Sequence, residues 1–121
     1  MQKNKEDKEL NKFIKTIIES LEEIKAEEII DLDITHLNTS ICRHYIICHA
    51  NSTTRVKALA DKVEENMHKK HKIKPFHKEG FNNAQWVLLD YPDIIVHVFL
   101  EDQRRFYNLE DLWADGIKHD I

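Results

Sequence analysis

Glycine and proline are scarce in this chain, which has two of each among its 121 residues. Because these residues interrupt helices and strands most often, their scarcity excludes a disordered protein and favours regular secondary structure. Long apolar runs are also lacking, since the run at 94–100 is far short of the roughly 20 residues that a membrane-spanning helix needs. The sequence therefore predicts one domain over residues 1–121, with a core at about 8–115, frayed termini and no membrane contact.

Cysteine is equally rare, and both residues, Cys42 and Cys48, lie on a stretch that reads as one extended segment. Six positions apart, they are expected to point to the same face and to be placed poorly for a disulfide. The first nine residues carry charges of both signs and lack the apolar segment of a secretory signal. Both features predict a cytoplasmic protein with reduced thiols.

A basic excess is missing as well. Lysine and arginine total 18 against 22 aspartates and glutamates, which leaves a net charge of −4. Binding nucleic-acid phosphates requires a basic patch or stripe, so this balance argues against a general nucleic-acid binder. A basic protein partner fits the charge better.

Hydrophobic spacing predicts the secondary structure. Apolar residues recur at intervals of three and four from Leu10 to Ile24, which predicts a helix over about residues 8–25. A second helix follows the N-cap residues Asn51 and Ser52 and ends at the basic turn 69–72. Strands are predicted at 28–34, 43–50, 73–79, 84–91 and 94–100, and a last helix at about 103–113. This order predicts an α/β fold with a mixed sheet of about five strands and flanking helices.

A hairpin around Pro92 joins the last two predicted strands. With an even-numbered loop, one face pairs Trp86 with Phe99, Leu88 with His97 and Asp90 with Ile95. The other face is aliphatic apart from one tyrosine, as a core-facing side should be: Val87, Leu89, Tyr91, Ile94, Val96 and Val98. The mixed aromatic and polar face suits a protein interface. The alternative is that the C-terminal helix or a loop covers this face and makes His97 a core residue.

An enzymatic alternative starts from Asp31-Leu32-Asp33. On a strand, the two carboxylates share a face at the spacing that holds two Mg²⁺ ions in nucleotidyl transfer. That chemistry also needs a glycine-containing turn that cradles phosphate, and residues 20–30 contain no glycine. A solvated strand edge accounts for the pattern better, so no catalytic residue is assigned.

The eight histidines raise a metal hypothesis, in which His68 and His71 lie three residues apart on a helix. No recognised zinc spacing emerges from them, so we predict neither a metal site nor a cofactor. Cys48 lies inside a strand and is expected to be a buried thiol, not a nucleophile. His77 or His97 could titrate near neutral pH.

The stretch 74–113 reads KPFHKEGFNNAQWVLLDYPDIIVHVFLEDQRRFYNLEDLW and contains four motifs in series. They are the turn Lys74-Pro75 with Glu79-Gly80, the strand from Trp86 to Asp90, the strand from Ile95 to Val98, and the helix with Arg105, Tyr107, Leu109, Glu110, Leu112 and Trp113. With these motifs the chain resembles the ribosomal silencing factor family, also called the Iojap or YbeB-like family, over about residues 8–115. It departs from the family pattern at Cys42-Arg43, in place of Thr-Asp, and at His49-Ala50, in place of Ser-Gly.

The resemblance implies a fold related to nucleotidyltransferases but without their active site, and therefore no enzyme. It also implies binding to the large ribosomal subunit through ribosomal protein uL14, with little direct contact to ribosomal RNA. The bound factor would block association with the small subunit, repress translation and assist large-subunit maturation. Free family members are expected to form homodimers.

Carried over residue by residue, the resemblance assigns seven partner-binding candidates. They are Trp86, Leu88, Asp90, His97 and Phe99 on the sheet, and Tyr107 and Glu110 in the last helix. Trp86 is expected to be the anchor, because buried tryptophans are enriched among residues that dominate binding energy. A self-associating adaptor, which pairs through an exposed apolar face, is the second class of function that the sequence allows.

Overall fold

One mixed six-stranded sheet organises the fold of this computed structural model, which describes residues 5–37 and 42–121. In chain order the elements are α1 (Lys5–Glu23), β1 (Glu27–Asp33), β2 (His44–Ala50), α2 (Thr53–His71), β3 (His77–Glu79), β4 (Trp86–Tyr91), β5 (Ile94–Leu100), α3 (Glu101–Tyr107), α4 (Leu109–Leu112) and β6 (Ile117–Asp120). The strand order is β3-β4-β5-β2-β1-β6, and β2 with β5 is the parallel pair among these neighbours. The predicted mixed α/β fold is confirmed, with six strands where about five were predicted.

Helices α1 and α2 cover one face of the sheet, which we name the helical face. Helix α2 forms where predicted, because the side chain of Ser52 accepts a hydrogen bond from the Arg55 N–H and Lys72 ends the helix in the left-handed conformation. The apolar stripe of α1 is buried, as its spacing predicts: Leu10, Phe13, Ile14, Ile17 and Leu21. The stripe packs with the aliphatic side of the β4–β5 hairpin into the larger of two hydrophobic clusters.

The turn of the hairpin sets its register. Tyr91 pairs with Ile94, so Pro92 and Asp93 form a two-residue loop in which Asp93 has a φ of 61°. The Asp93 carbonyl accepts hydrogen bonds from the backbone N–H groups of Arg43 and His44, which ties the turn to the start of β2. The even-numbered loop confirms the predicted division of the hairpin into an aliphatic and a mixed face.

The opposite side of the sheet, which we name the aromatic face, has its own smaller cluster. Its buried members are Ile30, Leu32, Ile34, Cys42, Tyr45, Ile47, Ile95 and Phe99. Leu109 and Trp113 pack on this cluster from the C-terminal segment, and Trp86 and Leu88 border it. No long helix covers the aromatic face in the described residues, so its cover is partial.

The C-terminal region differs from the prediction in two ways. Asn108 adopts a φ of 49° and ends α3, so the helix predicted at 103–113 is two short helices. The tail predicted to fray contains β6, which pairs with β1 at four positions and thereby gives the backbone groups of β1 partners. The predicted fraying at residues 1–4 lies outside the described residues.

The two cysteines are buried on opposite faces, so the prediction that they share one is wrong. Cys42 belongs to the cluster of the aromatic face and Cys48 to that of the helical face. The reason is that β2 begins at His44, so strand alternation does not extend back to Cys42. Burial raises the pKa of Cys42 to about 11 and that of Cys48 to about 12, so both remain thiols at neutral pH.

Candidate functional site

The pairing of β4 with β5 brings five of the seven predicted site residues together. Across the hairpin, the structure pairs Trp86 with Phe99, Leu88 with His97 and Asp90 with Ile95. These side chains share the aromatic face because every second residue of a strand points the same way. The predicted register is therefore confirmed, and it creates one patch at the β4 side of the sheet.

Trp86 is the centre of this patch. Its ring stacks on Phe99 with centroids 4.8 Å apart and meets Tyr107 at the same distance. Its indole Nε1–H donates a hydrogen bond to Nδ1 of His97, 3.1 Å away. The side chain is only half-buried, so a tryptophan fixed from three directions still presents part of its surface to solvent.

His97 is almost fully buried beneath Trp86, with 4% of its surface exposed. Burial lowers the pKa of His97 to about 3, so the ring is neutral at physiological pH. The possibility that it titrates near neutral pH is therefore contradicted. Its ring also meets that of Tyr45 edge to face, with centroids 4.9 Å apart.

Two of the predicted contact residues have almost no surface to offer. Phe99 is 0% exposed and His97 is 4% exposed. Both lie under Trp86 and fix its position, so in this conformation they support the surface without forming it. His97 is thus a core residue, as the alternative expects, but the side chain stacked over it and Phe99 is that of Trp86 on the same sheet, not a helix or loop.

Leu88 and Asp90 are half-buried along the outer side of β4, where β3 pairs with it. Trp86, Leu88, Glu79 and Gly80 line a shallow cavity of about 200 Å³. Gly80 has a φ of 91°, and a Cβ added there would lie 2.0 Å from the carbonyl oxygen of Trp86. Only glycine permits this approach, so Gly80 sets the wall of the cavity.

Tyr107 lies at the end of α3 and joins the patch from the side. Half of its surface is exposed, while its ring contacts Trp86. The neighbouring Phe106 is 78% exposed and meets Tyr107 edge to face. Sequence reasoning did not select Phe106, although an aromatic residue beside a predicted contact was a usable signal. A continuous aromatic surface therefore runs from the half-buried Trp86 through Tyr107 to Phe106, the most exposed of the three.

Glu110, the seventh predicted site residue, turns inward. Its two carboxylate oxygens accept hydrogen bonds from Arg104 Nε at 3.0 Å and Arg104 Nη2 at 3.2 Å. Both carboxylate oxygens are thus paired with guanidinium N–H groups, so Glu110 is not available to a partner in this conformation. The carboxylate holds α4 against α3.

Arg104 is the residue that sequence reasoning missed. Its side chain is 2% exposed, and besides binding Glu110 it donates to the carbonyl of Glu28 at 2.7 Å and to His49 Nδ1 at 3.0 Å. Burial and the positive charge of Arg104 lower the pKa of His49. The lowered pKa favours an unprotonated Nδ1, which can accept the hydrogen bond from Arg104. Arg104 thus fixes α3, and with it Tyr107, to β1 and β2.

Asp31 and Asp33 share a face as predicted, in a cleft of about 350 Å³ on the helical face. Asp31 Oδ1 accepts a hydrogen bond from His44 Nδ1 at 2.7 Å, and Asp33 accepts from the Thr35 N–H at 2.9 Å. Asp31 is buried because β1 lies between β2 and β6, so its interpretation as a solvated strand edge is wrong. Both carboxylates therefore already accept hydrogen bonds from neighbouring residues of the fold.

Across residues 5–37 and 42–121, no three histidine, cysteine or carboxylate side chains converge in a way that could hold a metal ion. Among the helices of these same residues, none has both the length and the apolar character needed to cross a bilayer.

The chain is similar to known proteins over most of its length. A sequence family described as "Ribosomal silencing factor during starvation" matches residues 7–121. A ribosomal silencing factor of Bacillus subtilis is 35% identical over 109 residues, which cover 90% of this chain and 91% of that relative. Another from Chromobacterium violaceum is 38% identical over 106 residues, which cover 88% and 85% of the two chains.

A solved structure has the same fold. The crystal structure of a protein from Chromobacterium violaceum matches this chain with a TM-score of 0.81 and 36% sequence identity. The match covers 86% of this chain and 85% of the other. The sequence relatives and the solved structure therefore match this chain over nearly the same share of its length.

Proposed function

This chain belongs to the ribosomal silencing factor family, and we propose that it binds ribosomal protein uL14 on the large subunit and blocks joining of the small subunit. The family match extends over residues 7–121, so it includes the sheet and both faces described above. The proposed action is binding alone, with no chemical step and no cofactor. It represses translation and assists maturation of the large subunit by keeping the subunits apart.

The observation that supports a binding surface here is the setting of Trp86. An indole held by Phe99, His97 and Tyr107 loses little conformational freedom when a partner covers it. Tryptophan and tyrosine are also the residue types enriched among those that dominate interface energies. Trp86 and the exposed ring of Tyr107 are thus suited to anchor a protein partner.

The seven candidates divide into two groups in this proposal. Trp86, Leu88 and Tyr107 supply contact area, and Asp90 orients a basic partner by its charge. The other three, His97, Phe99 and Glu110, act indirectly because they are buried or bound within the fold. Phe106 is added as a contact because it is highly exposed beside Tyr107.

Steric exclusion is sufficient for the proposed block. A standard interface takes roughly 800 Å² from each partner. That is about a tenth of the 7354 Å² surface of this chain, so most of the bound protein stands outside the contact. On the joining face of the large subunit, this remaining bulk would occupy space that the small subunit needs. The proposal puts the protein in the cytoplasm, where subunits join.

Co-sedimentation with separated ribosomal subunits tests the proposal. Wild type is expected to sediment with large subunits and not with small ones, and Trp86→Ala to weaken binding at least about 30-fold, as for loss of an anchor residue. Phe76→Ala is the matched control, because Phe76 is 74% exposed near β3 but lies outside the aromatic face. Circular dichroism establishes that each variant is folded.

Three outcomes would contradict the proposal. Absence of wild-type binding to large subunits would reject the ribosomal role. Equal effects of Trp86→Ala and Phe76→Ala would reject the aromatic face as the docking surface. A cross-linking experiment with purified uL14 that gives no Trp86-dependent product would reject that partner. Sedimentation of the free protein tests the expected homodimer separately.

A further inference from the structure

Exposed lysines are concentrated at one end of the layer formed by α1 and α2. The two helices run antiparallel, so the last turn of α2 lies beside α1: Thr16 Oγ1 is 2.8 Å from His71 Nε2, and Lys8 and Lys12 line one cleft with His71. We name five exposed lysines of these two segments the basic end: Lys8, Lys12, Lys69, Lys70 and Lys72. The basic end therefore combines residues that are about 60 positions apart in the sequence.

Few carboxylates offset these lysines. Lys70 is 3.7 Å from Glu19, and Glu9 lines the same cleft as Lys8 and Lys12. The other four lysines form no ion pair with any residue that the structure describes. By contrast, Lys62 contacts both Glu23 and Glu65. The total charge of −4 thus conceals a local positive excess.

Helix stability does not explain the basic end. Lysines in the last turn of α2 favour the negative end of its dipole, which accounts for Lys69 and Lys70. Lys8 lies in the first turn of α1, where the helix dipole is positive and a cation is unfavourable. The positive charges of Lys70 and Lys12, after burial, also lower the pKa of His71, which lies between them. Like charges are gathered here at a cost to stability.

The spacing suits a polyanionic chain. Lys8 and Lys12 are four residues apart on one helix, so their side chains emerge about 5–6 Å from each other. Lys69 and Lys70 lie in the last turn of α2, and Lys72 follows it as the left-handed C-cap residue. Ammonium groups at such intervals can contact neighbouring phosphates of one nucleic-acid strand, which is the sequence-independent mode of binding.

We propose that the basic end contacts the phosphate backbone of RNA, on the side of the sheet opposite to Trp86. The proposal deepens the proposed function and rests on it, since a ribosomal subunit presents RNA around its proteins. It revises the expectation of little RNA contact, which was based on total charge and not on its distribution. The basic end lies at an end of the helical layer, so RNA that flanks the docking site beside the bound protein would meet it.

Fluorescence anisotropy with a labelled RNA duplex of 20 base pairs tests the contact. The Lys12→Gln/Lys69→Gln variant removes two charges from the basic end, in helix positions that glutamine tolerates. The Lys25→Gln/Lys57→Gln variant is the matched control, because it removes two exposed charges at the far end of the same layer that form no ion pair with a described residue. Both variants have equal net charge, so only the position of the charge differs.

The expected result is a clear separation of the two variants. Wild type binds the duplex, and the basic-end variant binds at least about tenfold more weakly at 100 mM salt, with a salt slope reduced by about 1 to 2. The control changes affinity less than about twofold. Equal weakening by both variants would overturn the proposal, as would no binding by wild type. Tighter binding to vesicles of four parts phosphatidylcholine and one part phosphatidylglycerol than to RNA would assign the basic end to lipid and also overturn it.

The same variants with large ribosomal subunits separate this proposal from the docking proposal. The basic-end variant is expected to bind the subunits more weakly than the control and with a lower salt dependence. If wild type binds the subunits and the basic-end variant binds equally well, the RNA contact is rejected and docking stands. If wild type does not bind the subunits, docking fails, and the duplex experiment still decides whether the basic end binds RNA.

Discussion

The indole Nε1–H of Trp86 donates a hydrogen bond to Nδ1 of His97, 3.1 Å away on the neighbouring strand. The bond fixes the histidine tautomer, because Nδ1 accepts and the ring proton must lie on Nε2. That Nε2 is buried and has no hydrogen-bond partner among the described residues. A proton added to Nδ1 would set two N–H groups against each other, so the position of Trp86 depends on a neutral His97.

The first prediction is that acid lowers the free energy of unfolding through His97. The folded protein binds this proton only near pH 3, whereas the unfolded chain binds it near the ordinary pKa of 6.5. Between these values the unfolded state holds more protons, so stability rises with pH, by about 1.4 kcal/mol per unit for one group. Urea unfolding at pH 7, 6 and 5 measures this slope.

His97→Phe is the control for that slope. It keeps a planar ring under Trp86 but removes the titrating group, so it should lower the pH dependence between pH 5 and 6.5. Burial also lowers the pKa of His49 and His71, which adds dependence of the same sign, and the difference between the two proteins isolates His97. Identical slopes in wild type and variant would show that His97 does not titrate as predicted.

The second prediction concerns Arg104. Replacing it with methionine leaves Glu110 without its partner and removes the donors to His49 and the Glu28 carbonyl. Loss of one member of a buried charge pair typically costs about 3–5 kcal/mol, and we expect urea unfolding to reveal a loss of that size. Arg105→Met is the control, because Arg105 pairs with Glu28 at 2.6 Å with both side chains about half exposed.

An exposed pair of that kind contributes at most about 1 kcal/mol, so the two adjacent arginines should differ strongly. Similar losses for Arg104→Met and Arg105→Met would contradict the assignment of Arg104 as the fixing point of α3. Arg104→Lys, which keeps the charge but not the fork, should be intermediate because one ammonium cannot serve three acceptors in the same geometry.

The third prediction is that Gly80→Ala destabilises the β3–β4 region by roughly 2–4 kcal/mol. The new Cβ would meet the carbonyl oxygen of Trp86 at 2.0 Å, and the φ of 91° disfavours any side chain. Gly116→Ala is a milder comparison, because its Cβ would meet the side-chain end of Leu32 at 2.9 Å, which can shift. Thermal unfolding of both variants gives the comparison. A Gly80→Ala protein as stable as wild type would refute the tight approach.

Local patterns predicted those parts of the fold that depend on neighbours in sequence. Alternation along β4 and β5 and the short turn at Pro92 were enough for the register of the hairpin, because each residue's face follows from its position in the strand. The stripe of α1 predicted a buried helix for the same reason. Asn108 also offered a local signal, since asparagine is favoured both at left-handed positions and at helix starts.

Distant partners set the features that sequence reasoning missed. Arg104 resembles any charged residue of a surface helix, and it becomes a core residue only because Glu28 and His49 lie beside it, 76 and 55 positions away. The tail at 117–120 is short and polar, yet it forms a strand because β1 has room for a neighbour there. Glu110 was assigned to a partner because its actual partner, Arg104, had not been recognised.

The last prediction separates two contributions of Tyr107 to docking. Its ring meets Trp86 with centroids 4.8 Å apart while half of its surface stays exposed, so it both supports the anchor and offers contact area. Tyr107→Ala should therefore weaken large-subunit binding at least tenfold, with stability reduced by no more than about 1–2 kcal/mol, because the ring is only partly buried. Tyr107→Phe keeps the ring, so co-sedimentation should detect a much smaller loss. If Tyr107→Phe were as defective as Tyr107→Ala, the hydroxyl group and not the aromatic surface would make the essential contact.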